Sequence, residues 1–443
     1  MRHSIAFSLL AALAFCSPVA CSGDDTKTPP DETIVRPADP MQNDAAFVVS
    51  GVPKYLLSGD DRTPATANFS LRVTPPAGTT AVDLWLDEGD AIPFEKNGAD
   101  FEVEVDALPL GIGTHSLMLA TRGAKNGFFK AEFIKGHALY VIISTDWDFS
   151  DVDDRVLEHH AELHMLHPEL KITHLIGPYT FTDATVSQAR RDVIVQWAKS
   201  MRDTYGDEIG LHIHPYCNFV EAAGVTCKTE PSVAYPQGDP TGYSVRLGAY
   251  TREEWNTLFG KANEIWNMVG FGKPTSFRAG AWTLETHVAQ ALVDTGFVVD
   301  SSANNWVLMD EWIGYDIYDF NKMQWASIGP TSQPYWPTED SIVAGGSGKE
   351  IGLLEVPDNG CMVDYWSVQE MQAIFDANWN WDIGALEAPT QVSTGLHPAT
   401  TQYYSPDEFK RLDLFFSHAD QFLASKLEGP VVYINMTEAT QIW

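Results

Sequence analysis

Two pairs of side chains that can bind a metal ion stand at the ends of apolar runs. Asp146 and Asp148 follow residues 140–143, which have the unalternating pattern of a buried strand. His212 and His214 end a second apolar run. In each pair the spacing of two residues projects both side chains from one face of an extended strand. Two imidazoles, one carboxylate and water form a common open site for a catalytic divalent ion, typically zinc. The pairs therefore predict a metal centre whose carboxylate comes from either aspartate.

Each pair also has a simpler interpretation. The aspartates could form a solvated acidic turn that opens the next helix, with Ser150 as its N-cap. The two histidines could be hydrogen-bonded residues of the interior. A further group, His160, His164 and His167, lacks the spacing of a metalloprotease helix. We interpret that group as surface or packing residues.

The elements that must position these residues alternate between strand and helix from Tyr140 onward. About eight strands in this rhythm predict a (β/α) barrel, complete or seven-stranded, over residues 137–443. In such barrels the carboxyl ends of the strands carry the chemistry. Five predicted strand ends offer suitable side chains: Asp146 with Asp148, His212 with His214, Arg278, Asp300 and His397. This convergence predicts a single site.

Residues 45–136 have a different pattern. Short alternating runs are separated by Gly, Pro and Asp turns, which predicts five or more antiparallel strands in a small immunoglobulin-like sandwich. Because no residues with site chemistry stand out in this region, we expect it to be a spacer, a stabiliser or a weak glycan binder.

The order and content of the strand-end motifs resemble the polysaccharide deacetylase family, the NodB-homology group of carbohydrate esterases. That family has an acidic pair, a histidine motif, an arginine motif, an aspartate motif and a late Leu-His, in this order. The matching segments here are residues 145–148, 212–214, 278–282, 300–302 and 396–397. Three departures indicate a divergent member: Trp147 separates the aspartates, Tyr216 stands four residues after His212, and Ala281 replaces a usual proline.

The resemblance implies metal-assisted hydrolysis of an acetyl group. A divalent ion, which we expect to be zinc, would be held by Asp148, His212 and His214, polarise the carbonyl and lower the pKa of a bound water. Asp146 would be the general base, with Arg278 holding its carboxylate charged. His397 would protonate the leaving atom, and Asp300 would tune His397. A backbone N–H near residues 281–282 would help to hold the oxyanion.

The beginning of the chain and its charge indicate export. Residues 1–20 have the basic start, apolar centre and small residues of a signal peptide. Residues 18–21 resemble a lipobox, so we expect a lipid on Cys21; the alternative is cleavage near Ala20 without lipid. We expect residues 21–44 to form a flexible tether. A net charge of −32 argues against binding to nucleic acid or anionic lipid, so any membrane contact would be through that lipid. Cys217 and Cys227 are spaced for a loop-closing disulfide.

Together these features predict a cell-envelope lipoprotein, or a secreted protein, that deacetylates an N-acetylated polysaccharide or cell-envelope glycan. One alternative is a non-catalytic carbohydrate-binding surface lipoprotein. The other is a barrel hydrolase of a different amide or glycosidic bond. Two insertions, residues 216–249 and 302–350, lie on the side where a barrel site opens, and the second is rich in Trp and Tyr, whose faces suit sugar rings.

Overall fold

The computed structural model describes residues 34–40, 42–59, 68–123, 126–235, 239–398 and 405–443. The predicted signal peptide, the predicted lipid-bearing Cys21 and most of the predicted tether lie outside these residues. Within them, no helix combines the length and the apolar composition that crossing a membrane requires.

The N-terminal part of the chain forms two β-sheets that share one apolar core. The nine strands are β1 (Val48–Ser50), β2 (Tyr55–Leu57), β3 (Asn68–Thr74), β4 (Thr79–Leu86), β5 (Ile92–Pro93), β6 (Glu95–Asn97), β7 (Asp100–Asp106), β8 (Gly113–Gly123) and β9 (Phe128–Gly136). One sheet has the order β1-β3-β7-β6 and the other β2-β9-β8-β4-β5. Alternate residues of β3 are buried, as its sequence pattern predicts. The pair β2–β9 is parallel and the other pairs are antiparallel. The immunoglobulin-like type stays a prediction.

From Leu139 onward eight parallel strands alternate with helices. The strands are β10 (Leu139–Asp146), β11 (Ile172–Ile176), β12 (Glu208–Ile213), β13 (Ser276–Ala279), β14 (Val299–Asp300), β15 (Leu354–Glu355), β16 (Thr390–Leu396) and β17 (Val431–Ile434). The α-helices are α1 (Asp154–Leu166), α2 (Tyr179–Thr182), α3 (Gln188–Tyr205), α4 (Cys217–Ala222), α5 (Arg252–Val269), α6 (Thr286–Thr295), α7 (Asp316–Gln324), α8 (Val368–Asn378), α9 (Pro406–Ala419) and α10 (Met436–Ala439).

The parallel sheet is centred on β10, whose eight residues are all buried. The strand order is β15-β14-β13-β12-β11-β10-β16, with β17 also paired to β10. The segment that follows β15 lies beside β16. Met362 pairs in parallel with Gly395, and the Gly360 N–H donates to the Ser393 carbonyl at 2.8 Å. This arrangement is consistent with the predicted (β/α) barrel, and it brings the carboxyl ends of the strands to one side.

Local sequence signals determine where several helices begin and end. Thr251 and Glu254 form a reciprocal capping box at the start of α5. Gly296 ends α6 with φ +90°, a left-handed conformation that glycine adopts without strain. One cap differs from the sequence interpretation, since Asp153 rather than Ser150 accepts from the first turn of α1. The solvated acidic turn is therefore wrong as an account of Asp146, which is buried.

The histidines of α1 pack in the interior. His164 and His174 both place Nε2 2.9 Å from Asp207 Oδ2, and His167 pairs with two carboxylates of the C-terminal part of the chain. The structure thus confirms packing, and not surface exposure, for this group. The predicted disulfide between Cys217 and Cys227 is formed.

Candidate metal centre

A pocket of about 570 Å³ opens at the carboxyl ends of the parallel strands. Five of the predicted site residues line it, namely Asp146, Asp148, His212, His214 and His397. Aromatic side chains form most of its remaining wall: Phe149, Tyr235, Tyr243, Trp282, Trp312, Tyr315 and Tyr365. The ends of β10, β12 and β16 therefore meet at this pocket, whereas the other two predicted site residues, Arg278 and Asp300, do not line it.

Asp148 and the two histidines form the one group of metal-binding side chains found in the described part of the chain, with three ligand atoms within 4.8 Å of one another. His212 Nε2 lies 3.1 Å and His214 Nε2 3.2 Å from the same oxygen, Asp148 Oδ1. Ligands at zinc bond lengths in a tetrahedral site lie about 3.3 Å apart. The separations thus fit a divalent ion.

The hydrogen bonds of the two rings explain why this group needs a cation. His212 Nδ1 lies 3.0 Å from the Arg278 carbonyl and His214 Nδ1 lies 2.8 Å from the Tyr243 carbonyl. A carbonyl only accepts, so each Nδ1 carries a hydrogen, and a ring with no second proton presents its Nε2 lone pair to Asp148. Three acceptors then converge, and either protons on the rings or a metal ion must supply positive charge. Backbone partners of this kind commonly orient metal-binding histidines.

Two tyrosines that the sequence analysis missed fix Asp148. Tyr243 donates its hydroxyl to Asp148 Oδ2 at 2.8 Å, and Tyr216 donates to the Asp148 carbonyl at 3.1 Å. Burial raises the pKa of Asp148, but the charges of His214 and His397 and the hydrogen bonds to His212 and His214 outweigh it and hold that pKa well below its usual range. The carboxylate is therefore charged and oriented before any ligand binds.

Asp146 has a different partner, Arg278 of β13. Arg278 is completely buried and places Nη1 3.2 Å from Asp146 Oδ1, while its Nε donates to the Ser301 carbonyl at 2.6 Å. Its Nη2 lies 3.5 Å from Asp358, another buried carboxylate. Burial opposes the charge on Arg278, yet Asp146 and Asp358 raise the pKa of the guanidinium. The two aspartates of the predicted pair thus have separate environments, one at the histidines and one at the arginine.

The two carboxylate oxygens of Asp358 accept no hydrogen bond from the described residues. Burial raises the pKa of Asp358 to about 6, although the charge of Arg278 opposes this. Arg278 is thus placed between one carboxylate that lines the pocket and one that lies behind it.

His397 is oriented by Asp364 and not by Asp300. His397 Nδ1 lies 2.9 Å from Asp364 Oδ2, and the ring is about one fifth exposed (20%). Burial lowers the pKa of His397, but Asp364 and then Asp148 outweigh this and raise it to about 10. The predicted contact with Asp300 is wrong, because that carboxylate accepts at 2.9 Å from both the N–H and the hydroxyl of Ser302.

Asp300 instead pairs across the sheet with Glu355, its register partner on β15. Both side chains are completely buried. Burial raises the pKa of Glu355 well above its usual range, and the charge of Asp300 adds to this. The pair lies on β14, which adjoins the Arg278 strand β13, and on β15 beyond it, and does not line the pocket.

A turn with unusual backbone angles follows β13. Ala281 and Trp282 have φ values of 49° and 57°, a left-handed region that costs energy for residues other than glycine. Both residues line the pocket, and the Trp282 ring meets the edge of His397 with ring centres 6.1 Å apart. The carbonyls of this turn accept hydrogen bonds from Asn321 and Trp325, which hold it in place.

Signals for some of the missed residues are present in the sequence. Asp358 and Asp364 follow the end of β15, so the same strand-end argument could have found them. Tyr243 and Tyr235 belong to the first insertion, whose path no local pattern predicts.

The sequence matches no protein-family model and no curated protein. Structural similarity is found to a Mycobacterium smegmatis protein designated a polysaccharide deacetylase, with 15% identity, TM-score 0.39 and coverage of 69% of this chain and 90% of that one. A family 4 carbohydrate esterase from Streptomyces lividans in complex with acetate has 8% identity, TM-score 0.31 and coverage of 69% and 95%. A family 4 acetyl xylan esterase from Clostridium thermocellum in complex with a cobalt ion has 12% identity, TM-score 0.33 and coverage of 68% and 89%.

In its motifs and among these solved structures, the chain is similar to the polysaccharide deacetylases of carbohydrate esterase family 4.

Proposed function

We propose that this protein is a metal-dependent hydrolase that removes acetyl groups from an N-acetylated polysaccharide or cell-envelope glycan. One observation carries the proposal: two histidines with Nε2 at 3.1 and 3.2 Å from one Asp148 oxygen share a pocket with a second carboxylate, Asp146, and with His397. Hydrolysis of an acetyl group requires an activated water, a base and an acid, and the pocket contains side chains for each role.

Asp148, His212 and His214 would hold the metal, for which we propose zinc. A divalent ion in such a site polarises a carbonyl and activates water at neutral pH. The three side chains are already oriented for it, since Tyr243 holds Asp148 and backbone carbonyls hold both rings.

Asp146 acts as the general base in this proposal. Its carboxylate lines the pocket and takes a proton from the attacking water, while Arg278 Nη1 at 3.2 Å fixes its position and offsets its charge. Because Arg278 is buried and held by the Ser301 carbonyl, it orients the base from behind and does not contact the substrate.

His397 acts as the general acid and donates a proton to the leaving nitrogen or oxygen. The contact from Asp364 to Nδ1 leaves Nε2 as the atom that can reach the substrate. The raised pKa of His397 means that the ring carries its proton at neutral pH. The backbone N–H groups of Ala281 and Trp282 are proposed to hold the oxyanion, because their left-handed turn lines the same pocket.

Acetate release from N-acetylated oligosaccharides tests this proposal. Asp146→Asn keeps the shape of the side chain but removes the base, so the rate of acetate release should fall by roughly two to four orders of magnitude with the metal retained. Asp151→Asn, which changes an exposed carboxylate outside the pocket, is the matched control and should leave the rate unchanged.

The products distinguish this function from the alternatives. Release of acetate without shortening of the chain supports deacetylation. Shortened oligosaccharides would identify a glycosidic hydrolase. Binding of the oligosaccharide without any product would identify a non-catalytic carbohydrate-binding protein.

We also propose that the protein is exported and anchored by a lipid on Cys21. The N-terminal sequence and the disulfide between Cys217 and Cys227 support this, since disulfides persist in oxidising compartments. Labelling of expressing cells with a fatty-acid analogue should mark the wild-type chain and not Cys21→Ala; equal labelling of both would contradict the anchor.

A further inference from the structure

The two long insertions meet beside the metal centre and enclose a second pocket of about 390 Å³. The side chains that matter for its chemistry are Tyr235 and Arg246 of the first insertion and Asp316, Asp319 and Phe320 of the second. Tyr235 and Asp316 line both this pocket and the metal pocket. The two pockets are therefore adjoining parts of one cleft, and a ligand longer than one unit can occupy both.

Tyr235 stands at the junction with an unused hydrogen-bond donor. Its side chain is 8% exposed, and its hydroxyl has no partner among the described residues. Burial and the charge of Asp148 raise the pKa of Tyr235 well above its usual range, and Arg246 opposes this. The phenol is therefore protonated and lies within the electrostatic reach of both the metal centre and the second pocket. A buried donor without an acceptor is unfavourable, and an oxygen of a bound ligand would satisfy it.

The second pocket combines donors and acceptors around an aromatic surface. The Arg246 guanidinium lies 5.6 Å from the centre of the Phe320 ring and uses Nη2 to donate to the Ser232 carbonyl at 3.2 Å. The other N–H groups of the Arg246 guanidinium have no hydrogen-bond partner among the described residues, and Asp316 and Asp319 supply carboxylate acceptors in the same pocket. Such a mixture suits the hydroxyl groups of a sugar, each of which both donates and accepts.

The charges of the second pocket and of the whole chain disfavour acidic ligands. The second pocket has one cation, Arg246, and two carboxylates, Asp316 and Asp319. Like charges at close range disfavour a polyanion, and the net charge of −32 acts in the same direction at long range.

We propose that the second pocket binds the neutral sugar unit that adjoins the unit undergoing deacetylation, so that the substrate is a neutral N-acetylated oligo- or polysaccharide of two units or more. This inference rests on the proposed function. Tyr235 donates to an oxygen at the junction of the two units, and Arg246 with Asp319 binds hydroxyl groups of the second unit.

The test compares kcat/KM for acetate release from N-acetylglucosamine and from N,N′-diacetylchitobiose. For the wild-type protein we expect the disaccharide to be preferred by at least about tenfold, because the second unit adds binding energy that the reaction can use. Arg246→Gln, which lines the second pocket and not the metal pocket, should remove most of this preference and leave the rate on the monosaccharide within about threefold of wild type. Tyr235→Phe should also reduce the preference for the disaccharide. Arg252→Gln, which changes an arginine paired with Asp294 outside both pockets, is the control and should keep the full preference.

A binding measurement separates this inference from the proposed function. Calorimetry of the disaccharide with metal-loaded Asp146→Asn protein should show affinity that falls about tenfold when Arg246→Gln is added. If the pocket variants keep the wild-type affinity and the wild-type preference for the disaccharide, the proposed role of the second pocket is overturned. The proposed function is then still upheld by acetate release. If the disaccharide binds in a way that depends on Arg246 but the wild-type protein releases acetate from neither sugar, the proposed function is overturned. The proposed role of the second pocket is then supported.

Discussion

Replacing Tyr243 by phenylalanine should weaken metal binding without changing a metal ligand. The lost hydroxyl donates to Asp148 Oδ2 at 2.8 Å. The phenylalanine keeps the ring that stacks on His214 at 4.2 Å and the carbonyl that accepts from His214 Nδ1. The substitution therefore isolates one hydrogen bond to the carboxylate.

The expected loss of zinc affinity follows from the type of hydrogen bond that is removed. A hydrogen bond to a charged group contributes about 1.5–3 kcal/mol, and each 1.4 kcal/mol is about a factor of ten in an equilibrium constant. We therefore expect the dissociation constant for zinc to rise by roughly 10- to 100-fold, as is usual when a residue that supports a metal ligand is removed. Tyr216→Phe is the matched control, because Tyr216 donates to the main-chain carbonyl of Asp148 and not to its carboxylate.

Competition with a fluorescent zinc chelator at fixed pH measures these affinities. Tyr216→Phe should remain within about threefold of wild type, as its hydroxyl has a neutral acceptor. Equal zinc affinity in wild type and Tyr243→Phe would refute the reasoning, and so would an equal loss in both variants.

Three further expectations concern catalysis and stability. Asp364→Asn should lower kcat by roughly tenfold or more with metal content unchanged, because His397 loses its orienting carboxylate; a parallel loss of metal would contradict this role. Burial raises the pKa of Asp207, but hydrogen bonds from His164 and His174 outweigh it and lower the pKa from its ordinary 3.8 to about 2. The resulting stabilisation of about 2 kcal/mol should be complete above about pH 5 and lost as the pH falls through 2. Urea unfolding across this range should become less dependent on pH in Asp207→Asn. Replacing Cys217 and Cys227 by serine should lower the free energy of unfolding by about 2–3 kcal/mol, and an unchanged denaturation midpoint would contradict that value.

The sequence predicts the strands and the pocket because both depend on short-range patterns. Buried parallel strands appear as apolar runs, and side chains two residues apart share a face, so Asp146 with Asp148 and His212 with His214 could be assigned to one site before any coordinates. The helix ends at Thr251 and Gly296 are equally local.

The rest could not be predicted because it depends on contacts between distant segments. The position of β10 relative to β12 determines whether Asp146 or Asp148 contacts the histidines. The hydrogen bond from Tyr243 to Asp148 joins residues that are 95 positions apart in the sequence. The assignment of Asp300 to His397 failed for the same reason. Asp300 is turned towards Ser302 and Glu355 by the pairing of β14 with β15, and Asp364 occupies the place beside His397.

Metal content tests the central claim most directly. Elemental analysis of the purified wild-type protein should find about one divalent ion per chain, as expected for a site with three protein ligands. The variant that combines His212→Ala with His214→Ala should contain none and should release no acetate, with an unchanged circular dichroism spectrum. A folded double variant that still holds one ion per chain would contradict the assignment of the metal centre to Asp148, His212 and His214.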